Sequence, residues 1–389
     1  MKFLFFGIYS KGVAYPRNNN MIRALKKQGH DVLEVHYALA GSFSERIGAV
    51  NRLSQRIRFC IGIFASYPVL AWSLIRRPKP QVIIVGSPGY FHVHWAWLLN
   101  LLFRRESILV YDAFIPLYEA LIEDRQLIRP DGLSARLIHH FEKSCCRIAD
   151  LVWVDTKKHG QYLAHKYDIN EKKINRLFVG STIRPTTSPC PKIESDVFNI
   201  LFVGTYIPLH GIDVILKAAR LLKEETSIRF TLVGTGQLRD EMQRLASRWK
   251  LDNIIFRDWV PTETLYSYIG SFDLSLGIFG STSKTSRVIP SKIYDICLVG
   301  SPFITAYTPA IREVFTHGKN AYLIPPASSS CLAEAIRHII ADDKLRKTIA
   351  NGAKDTGRTV FSDRRLSVDL MDTIHFRATQ ISGKSGISG

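Results

Sequence analysis

Acidic side chains are scarce in this sequence: 34 Asp and Glu face 52 Lys and Arg, for a formal net charge of +18. A surplus of that size implies anionic surroundings, whether phosphate ligands, nucleic acid or an anionic membrane surface, without choosing among them. Nucleic acid has only the charge in its favour, because zinc-ligand spacing, a recognition-helix signature and an RNP-like aromatic run are all missing. Cysteine is sparse as well. Cys60, Cys145, Cys146, Cys190, Cys297 and Cys331 never form C-x-x-C, and most lie in apolar runs where a thiol behaves as a small hydrophobe. That pattern fits a reduced, cytosolic compartment. A third glycine is missing from VGTGQL, so the dinucleotide fingerprint is incomplete and an NAD or FAD site is discounted. The apolar run in MKFLFFGIYSKG is too short for a signal peptide and has no convincing cleavage site, and it reads as a first buried strand.

What is present describes a folded protein: 46% hydrophobic and 22% charged residues over 389 positions, enough for two domains of roughly 190 residues. From residue 1 to about 180, the short apolar runs KFLFFGI, DVLEVHY, QVIIVG, SILVYD, LVWVD and NRLFVG alternate with helical stretches at 18–28, 48–76, 91–104, 134–148 and 156–166. STIRPTTSPCPKIESD, residues 181–196, has no apolar period and reads as a linker. A second series follows: FNILFVG, RFTLVGTG, NIIFRDWV, FDLSLGIF, SPFIT and NAYLI. Alternation of this kind predicts an α/β protein of two Rossmann-like domains facing each other across a cleft, with ligands beyond the carboxyl ends of the strands. The expected divisions are 1–185 and 186–363, then a helix at 364–380 placed to pack back on the first domain, and a flexible tail at 381–389.

The stretch RVIPSKIYDICLVGSPFIT, residues 287–305, reads as a helix that opens with Pro290 at its first position and stops at Gly300. Arg287 and Lys292 sit at its N-terminal end, where free N–H groups and the macrodipole already favour anions. Cations there cost stability unless an anion such as a pyrophosphate lies between them; the plainer alternative is two solvated side chains. Glycines close several strands, among them Gly7, Gly12, Gly86, Gly89, Gly204, Gly234 and Gly236, and each permits a sharp turn or a close backbone approach. Asp112, at the end of SILVYD, is a carboxylate able to position a hydroxyl or accept its proton, and equally a cap or turn acid; Glu119 and Asp124 are weaker rivals. His92 and His94 point to different faces of a helix with no acids beside them, and no metal is expected there. His139 and His140 read as packing or surface residues.

Several blocks carry a family resemblance. FVGTYIPLHGIDVILKAARLL, FTLVGTGQLRDEM, IIFRDWVPTETLYSYI and IPSKIYDICLVGSPFITAYTPAIREVFTHGKNAYLIPP follow one another from 199 to 326. YPRN (15–18), IRALKKQGHDVLEV and VYDAFIPLYEALIEDR (110–125) stand in the first half. Together they resemble the retaining glycosyltransferases of family 4, which have the GT-B fold. The resemblance implies a nucleoside-diphosphate sugar bound mainly by the second domain and a glycan or lipid-linked acceptor held against the first. It further implies hexose-type transfer with retained configuration, without a metal or other cofactor, as in cell-surface polysaccharide biosynthesis. Donor contacts are implied at Gly12, Gly204, Thr205, His210, Gly236, Trp259, Val260, Ser291, Ile293 and Asp295.

The chain departs from that family where the chemistry lies. The family's E-x7-E element becomes R-x7-D, with Arg287 in place of the sugar-facing acid and Asp295 retained for the ribose hydroxyls. Thr205 and His210 occupy the two positions that usually hold pyrophosphate-binding cations, and Tyr111 replaces a histidine before Asp112. The phosphate-binding charge is therefore expected at Arg287, Lys292 and the backbone N–H groups of Ser291 and Lys292, with Asp112, Arg287 and Lys292 as the catalytic set. The alternative is a non-catalytic nucleotide-sugar-binding protein with a degenerate donor site.

RIRFCIGIFASYPVLAWSLIRR has an apolar stretch of about 16 residues between Arg56, Arg58, Arg76 and Arg77, short for a span and interrupted by Pro68. It reads as a buried crossover helix, a basic amphipathic surface on anionic lipid, or both. With FHVHWAWLLNLLFRR nearby, the expectation is a cytoplasmic protein peripheral to the membrane.

Overall fold

The computed structural model describes residues 1–12, 16–39, 53–103, 106–124, 127–181, 183–186 and 196–385. Tyr15, Arg104, Arg105, Arg125, Cys190, most of the 181–196 segment and the side chain of Arg56 lie outside the described residues. The chain divides into two compact units, Met1–Phe178 with Asp363–Gly389, and Val179–Ser362.

In the first unit, β1 (Lys2–Gly7), β2 (Asp31–His36), β3 (Val82–Val85), β4 (Ile108–Asp112), β5 (Leu151–Val154) and β6 (Ile174–Arg176) form a parallel sheet in the order β2-β1-β3-β4-β5-β6. Side chains alternate across a strand, and β1 shows what that does here. Leu4 and Phe6 pack with Leu70, Leu74, Val93 and Leu163 on one face, whereas Phe3 and Phe5 pack with Met21, Leu25, Leu366 and Ile374 on the other. Both faces are covered, which is why the strand reads as a continuous apolar run.

The helix Asp363–Ser385 belongs to this unit although it follows the second in sequence. Its first residue, Asp363, pairs with Arg23 at 2.6 Å and Lys27 at 2.8 Å on the helix Pro16–Lys27. Further along, Thr373 accepts a hydrogen bond from Trp153 at 3.2 Å, and Arg377 pairs with Asp150 at 3.1 Å. The helix continues through 381–385, part of the segment expected as a flexible tail; 386–389 lie outside the described residues. The stretch contains no proline to stop it.

In the second unit, β7 (Phe198–Val203), β8 (Ile228–Val233), β9 (Ile254–Arg257), β10 (Leu274–Leu276), β11 (Phe303–Ala306) and β12 (Tyr322–Ile324) are again parallel, ordered β12-β11-β10-β7-β8-β9. Chain order reverses between β7 and β10, so their carboxyl ends diverge. The helix Ser291–Val299 enters beside that opening and ends at Gly300, whose φ of 81° is the left-handed stop expected of it. Pro290 is the N-cap, one place earlier than expected, because its ψ of 149° is extended and the helical turn begins only with Ser291.

Candidate functional site in the second unit

Gly204 ends β7 at the switch point, where open α/β sheets hold ligands. A Cβ on Gly204 would stand 2.6 Å from Lys292 Nζ and 3.2 Å from His210 Cε1. The missing side chain is thus what admits the lysine. Lys292, in the first turn of its helix, is only 8% exposed, and among the described residues its Nζ has no hydrogen-bond partner. The amine lies 3.8 Å from the centroid of the Phe202 ring. An aromatic face offers an ammonium about 0.5–2 kcal/mol, less than the several kcal/mol that enclosing an unpaired ion costs. Burial accordingly pushes the Lys292 amine well below its ordinary range.

His210 closes the short turn Pro208–His210, and its Nδ1 contacts the Thr205 carbonyl oxygen. A carbonyl only accepts, so Nδ1 carries the proton. Burial holds the imidazole well below its usual pKa, any charge on Lys292 acts in the same direction, and the bond to Thr205 opposes both. His210 is therefore a neutral ring at neutral pH and brings no second cation. Thr205 itself is exposed.

One turn beyond Lys292, Asp295 is buried and its Oδ1 accepts a 2.7 Å hydrogen bond from Ser181 Oγ. Lys292 and Asp295 share the lining of a small cavity with Val203, Ser275 and Ile296. Ile293 is packed inward, its Cδ1 at 3.0 Å from where a Cβ on Gly277 would stand. At the helix start the Ile293 N–H returns to Pro290 O at 2.9 Å, leaving the N–H groups of Ser291 and Lys292 as the outward donors. Arg287 is half-buried at the end of the turn Ser283–Ser286, four residues before the helix.

The loop after β8 crosses the end of β7 by direct backbone contact. Gly234 has φ 130°, and a Cβ there would lie 2.1 Å from the Gly204 carbonyl oxygen. Gly236, with φ 149°, is as confined, at 2.6 Å from Tyr206 N. After β9, Trp259 stands half-exposed, its Nε1 donating to Thr235 Oγ1 at 3.0 Å, while Val260 packs against the cluster that includes Ile183 and Leu201. Gly204, Thr205, His210, Gly236, Trp259, Ser291 and Lys292 thus all lie on loops or helix starts at the carboxyl side of one sheet, with Asp295 one turn further along its helix.

The first unit treats its candidate differently. Asp112 is 1% exposed, and both its oxygens accept from Arg17 Nε, at 2.8 and 2.9 Å. Enclosure lifts its pKa more than the guanidinium lowers it. The acid at the end of β4, expected either to meet an acceptor hydroxyl or to serve as a cap or turn acid, is enclosed and paired with Arg17. Arg17 also donates to Leu177 O at 2.7 Å and covers the Phe114 ring at 4.9 Å. Sequence reasoning missed Arg17, and no spacing pointed to it. It missed His159 too, held between Asp155 at 2.6 Å and Glu119 at 3.0 Å; there the i,i+4 spacing of Asp155 and His159 was an available signal. Glu119 opens the π-helical segment Glu119–Asp124. Gly12 is exposed, with nothing within 4 Å of a Cβ added to it. His92 bonds Ser66 at 2.7 Å in the core, and the half-buried His94 bonds Ser144 at 2.8 Å. Among the described residues no group of three His, Cys, Asp or Glu is placed to hold a metal.

The helix Leu53–Ile75 is continuous through Pro68, which does not interrupt it as expected. Ile57–Ile75 is long and apolar enough to cross a membrane by length and composition, yet only 22% of that window is buried. Ile57, Ile61, Phe64 and Trp72 face outward at helical spacing, whereas Ile63, Leu70 and Leu74 face the core. The inward face also makes polar contacts: Tyr67 OH donates to Phe91 O and Trp95 Nε1 to Tyr67 O, both at 3.0 Å. Trp97, Leu101, Leu102 and Phe103 extend the exposed apolar surface.

Comparison with known proteins matches residues 184–356 to the family Glycosyl transferases group 1. A chitobiosyldiphosphodolichol beta-mannosyltransferase of Debaryomyces hansenii is 24% identical over 312 residues, 72% of this chain and 63% of its own length. A lipopolysaccharide core biosynthesis glycosyltransferase of Rhizobium meliloti is 24% identical over 182 residues, 46% of this chain and 50% of its own. The chain thus spans between half and two thirds of these curated relatives. Among solved structures, Anabaena HepE in complex with UDP superposes with a TM-score of 0.69 at 16% identity, covering 96% of this chain and 100% of that one. The family match lies within the second unit, and the solved fold is matched over nearly the whole chain: the chain has the GT-B fold, and its residues 184–356 are similar to the group 1 glycosyl transferases.

Proposed function

We propose that this chain transfers a hexose-type sugar from a nucleoside diphosphate to a glycan or lipid-linked acceptor, with retained configuration and without a metal. The observation that carries the reading is Lys292: an enclosed amine without a partner, beside two outward N–H groups, at the switch point of the second sheet. That arrangement suits a diphosphate, whose negative charge grows on the leaving oxygen as the sugar bond breaks. Asp295, fixed by Ser181, is assigned to the ribose hydroxyls, Trp259 and Val260 to the base side, and Arg287 to the phosphates. The UDP complex of HepE makes a uridine nucleotide the first donor to try. The named activities of the curated relatives support a lipid-linked or cell-surface glycan as acceptor.

The exposed apolar stripe of the helix Leu53–Ile75 belongs to this reading. Its inward face is bound to the unit by side-chain hydrogen bonds, which supports a helix lying on the cytoplasmic membrane surface over one spanning it. Arg58, Arg76 and Arg77 supply the attraction to anionic lipid, about 1 kcal/mol each near the surface. The Arg76 guanidinium lies 4.1 Å from the Trp72 ring centroid, the amphipathic pairing found at an interface.

Turnover with UDP-sugars decides the catalytic claim. Lys292→Ala is expected to lower turnover on the order of 100-fold or more, and more than it weakens donor binding. Arg287→Glu is expected to abolish turnover, since Thr205 and His210 supply no cation in its place. An Arg287→Glu protein as active as wild type would show that the family's ordinary sugar contact is intact and the relocated charge is an error. Nucleotide binding with no transfer or hydrolysis of any donor would favour the non-catalytic alternative.

A further inference from the structure

We propose that Lys292 waits as a neutral amine and takes a proton from solution when the donor's diphosphate enters, so that donor binding and protonation are one event. The inference rests on the donor-site reading above and adds how that site acquires its charge. Among the described residues, the surroundings of Nζ supply no anion. From the end of β7 it meets the Phe202 ring and the Gly204 backbone; from the turn after β7 it meets His210, whose Nδ1–H is turned away to Thr205 O. On its own helix the nearest acid is Asp295, which accepts from Ser181, and Arg287 precedes the helix as a further cation. From β10, Ser275 faces the shared cavity.

An amine enclosed with no anion sheds its proton, because burial penalises only the charged form. For Lys292 burial is the cause that lowers the amine. A diphosphate reverses the balance by bringing negative charge against the same atom. The step is balanced without a co-reactant: the amine and one proton from water give the ammonium, and no bond to the sugar changes. Between the amine's pKa in the empty site and its higher value in the complex, each bound nucleotide takes up one proton. Affinity then falls by about tenfold for each unit rise in pH, since one pKa unit is one decade of equilibrium constant. A site with permanently charged cations shows no such slope once the nucleotide itself is fully ionised.

Calorimetric titration with UDP tests this, at one pH near 8 and in buffers of widely different ionisation enthalpy, with GDP, ADP and inorganic pyrophosphate as further probes. The dependence of heat on buffer is expected to report close to one proton taken up by wild type. Lys292→Arg, which carries its charge at every pH, is expected to bind with no uptake, and His210→Gln to leave the uptake unchanged. Binding by wild type without proton uptake overturns the inference and leaves the donor site standing. Uptake that disappears in His210→Gln and persists in Lys292→Arg assigns the proton to the imidazole and overturns it as well. Failure of every probe to bind sinks the donor-site reading itself, and the two failures are distinguishable.

Discussion

Both units bury ionisable side chains at the carboxyl side of a parallel sheet, and they do so in opposite ways. In the first unit Arg17 has Asp112, and His159 has Asp155 and Glu119, every partner within 3.0 Å. In the second, Lys292 has an aromatic face, a glycine and a neutral histidine. Desolvation is costly in each case; an internal partner offsets it only in the first. A buried charge with its own counterion is spent on the fold, whereas one without is left open to an external anion. By the same rule Asp112, the second candidate in the sequence, sides with the fold.

Three variants test that contrast, and the largest effect is expected at the paired site. Asp112→Ala leaves Arg17 enclosed without its anion and should cost about 3–5 kcal/mol in denaturant unfolding. A loss below about 1 kcal/mol would mean that Arg17 finds another partner and that the pair is not what holds β4 to the helix Pro16–Lys27. The next effect concerns His159, raised to about 10: burial opposes the shift, and Glu119 and Asp155 more than overcome it. With the folded value above the unfolded value of about 6.5, its contribution is complete below pH 6.5 and is lost as pH rises toward 10. Wild type should therefore lose stability across that window, and His159→Gln should show a flatter profile. Parallel profiles for the two proteins would remove the imidazolium from the account. The smallest effect is expected at Lys292→Met, which exchanges an unpaired amine for an apolar side chain of similar length. Unfolding stability should stay within about 1 kcal/mol of wild type or rise. A clear loss of stability would show that the lysine is structural and dissolve the contrast between the units.

The sheet architecture was legible because strands buried on both faces leave continuous apolar runs, such as KFLFF in β1 and NILFV in β7. The helix around Lys292 was legible from Pro290 and Gly300, apart from its first residue. The condition of its side chains was not. Whether Lys292 or Asp112 has a partner depends on contacts between distant segments: Arg17 and Asp112 are 95 residues apart, and Ser181 and Asp295 are 114 apart. Nor could periodicity reveal that the helix Leu53–Ile75 has two apolar faces, one packed and one open. A helix apolar all round looks the same in sequence whether it is enclosed by protein or by lipid.

The seam between Gly204 and Gly234 has a genetic consequence. At most sites a bulky replacement can be relieved by shrinking whatever it strikes. Here the obstacle to a side chain at 234 is the carbonyl oxygen of residue 204, main chain that no substitution can trim. A selection for suppressors of a Gly234 lesion should therefore return only reversion to glycine. A lesion at Gly204, which strikes the movable end of Lys292, should yield second-site changes at position 292, restoring the fold without restoring the reaction.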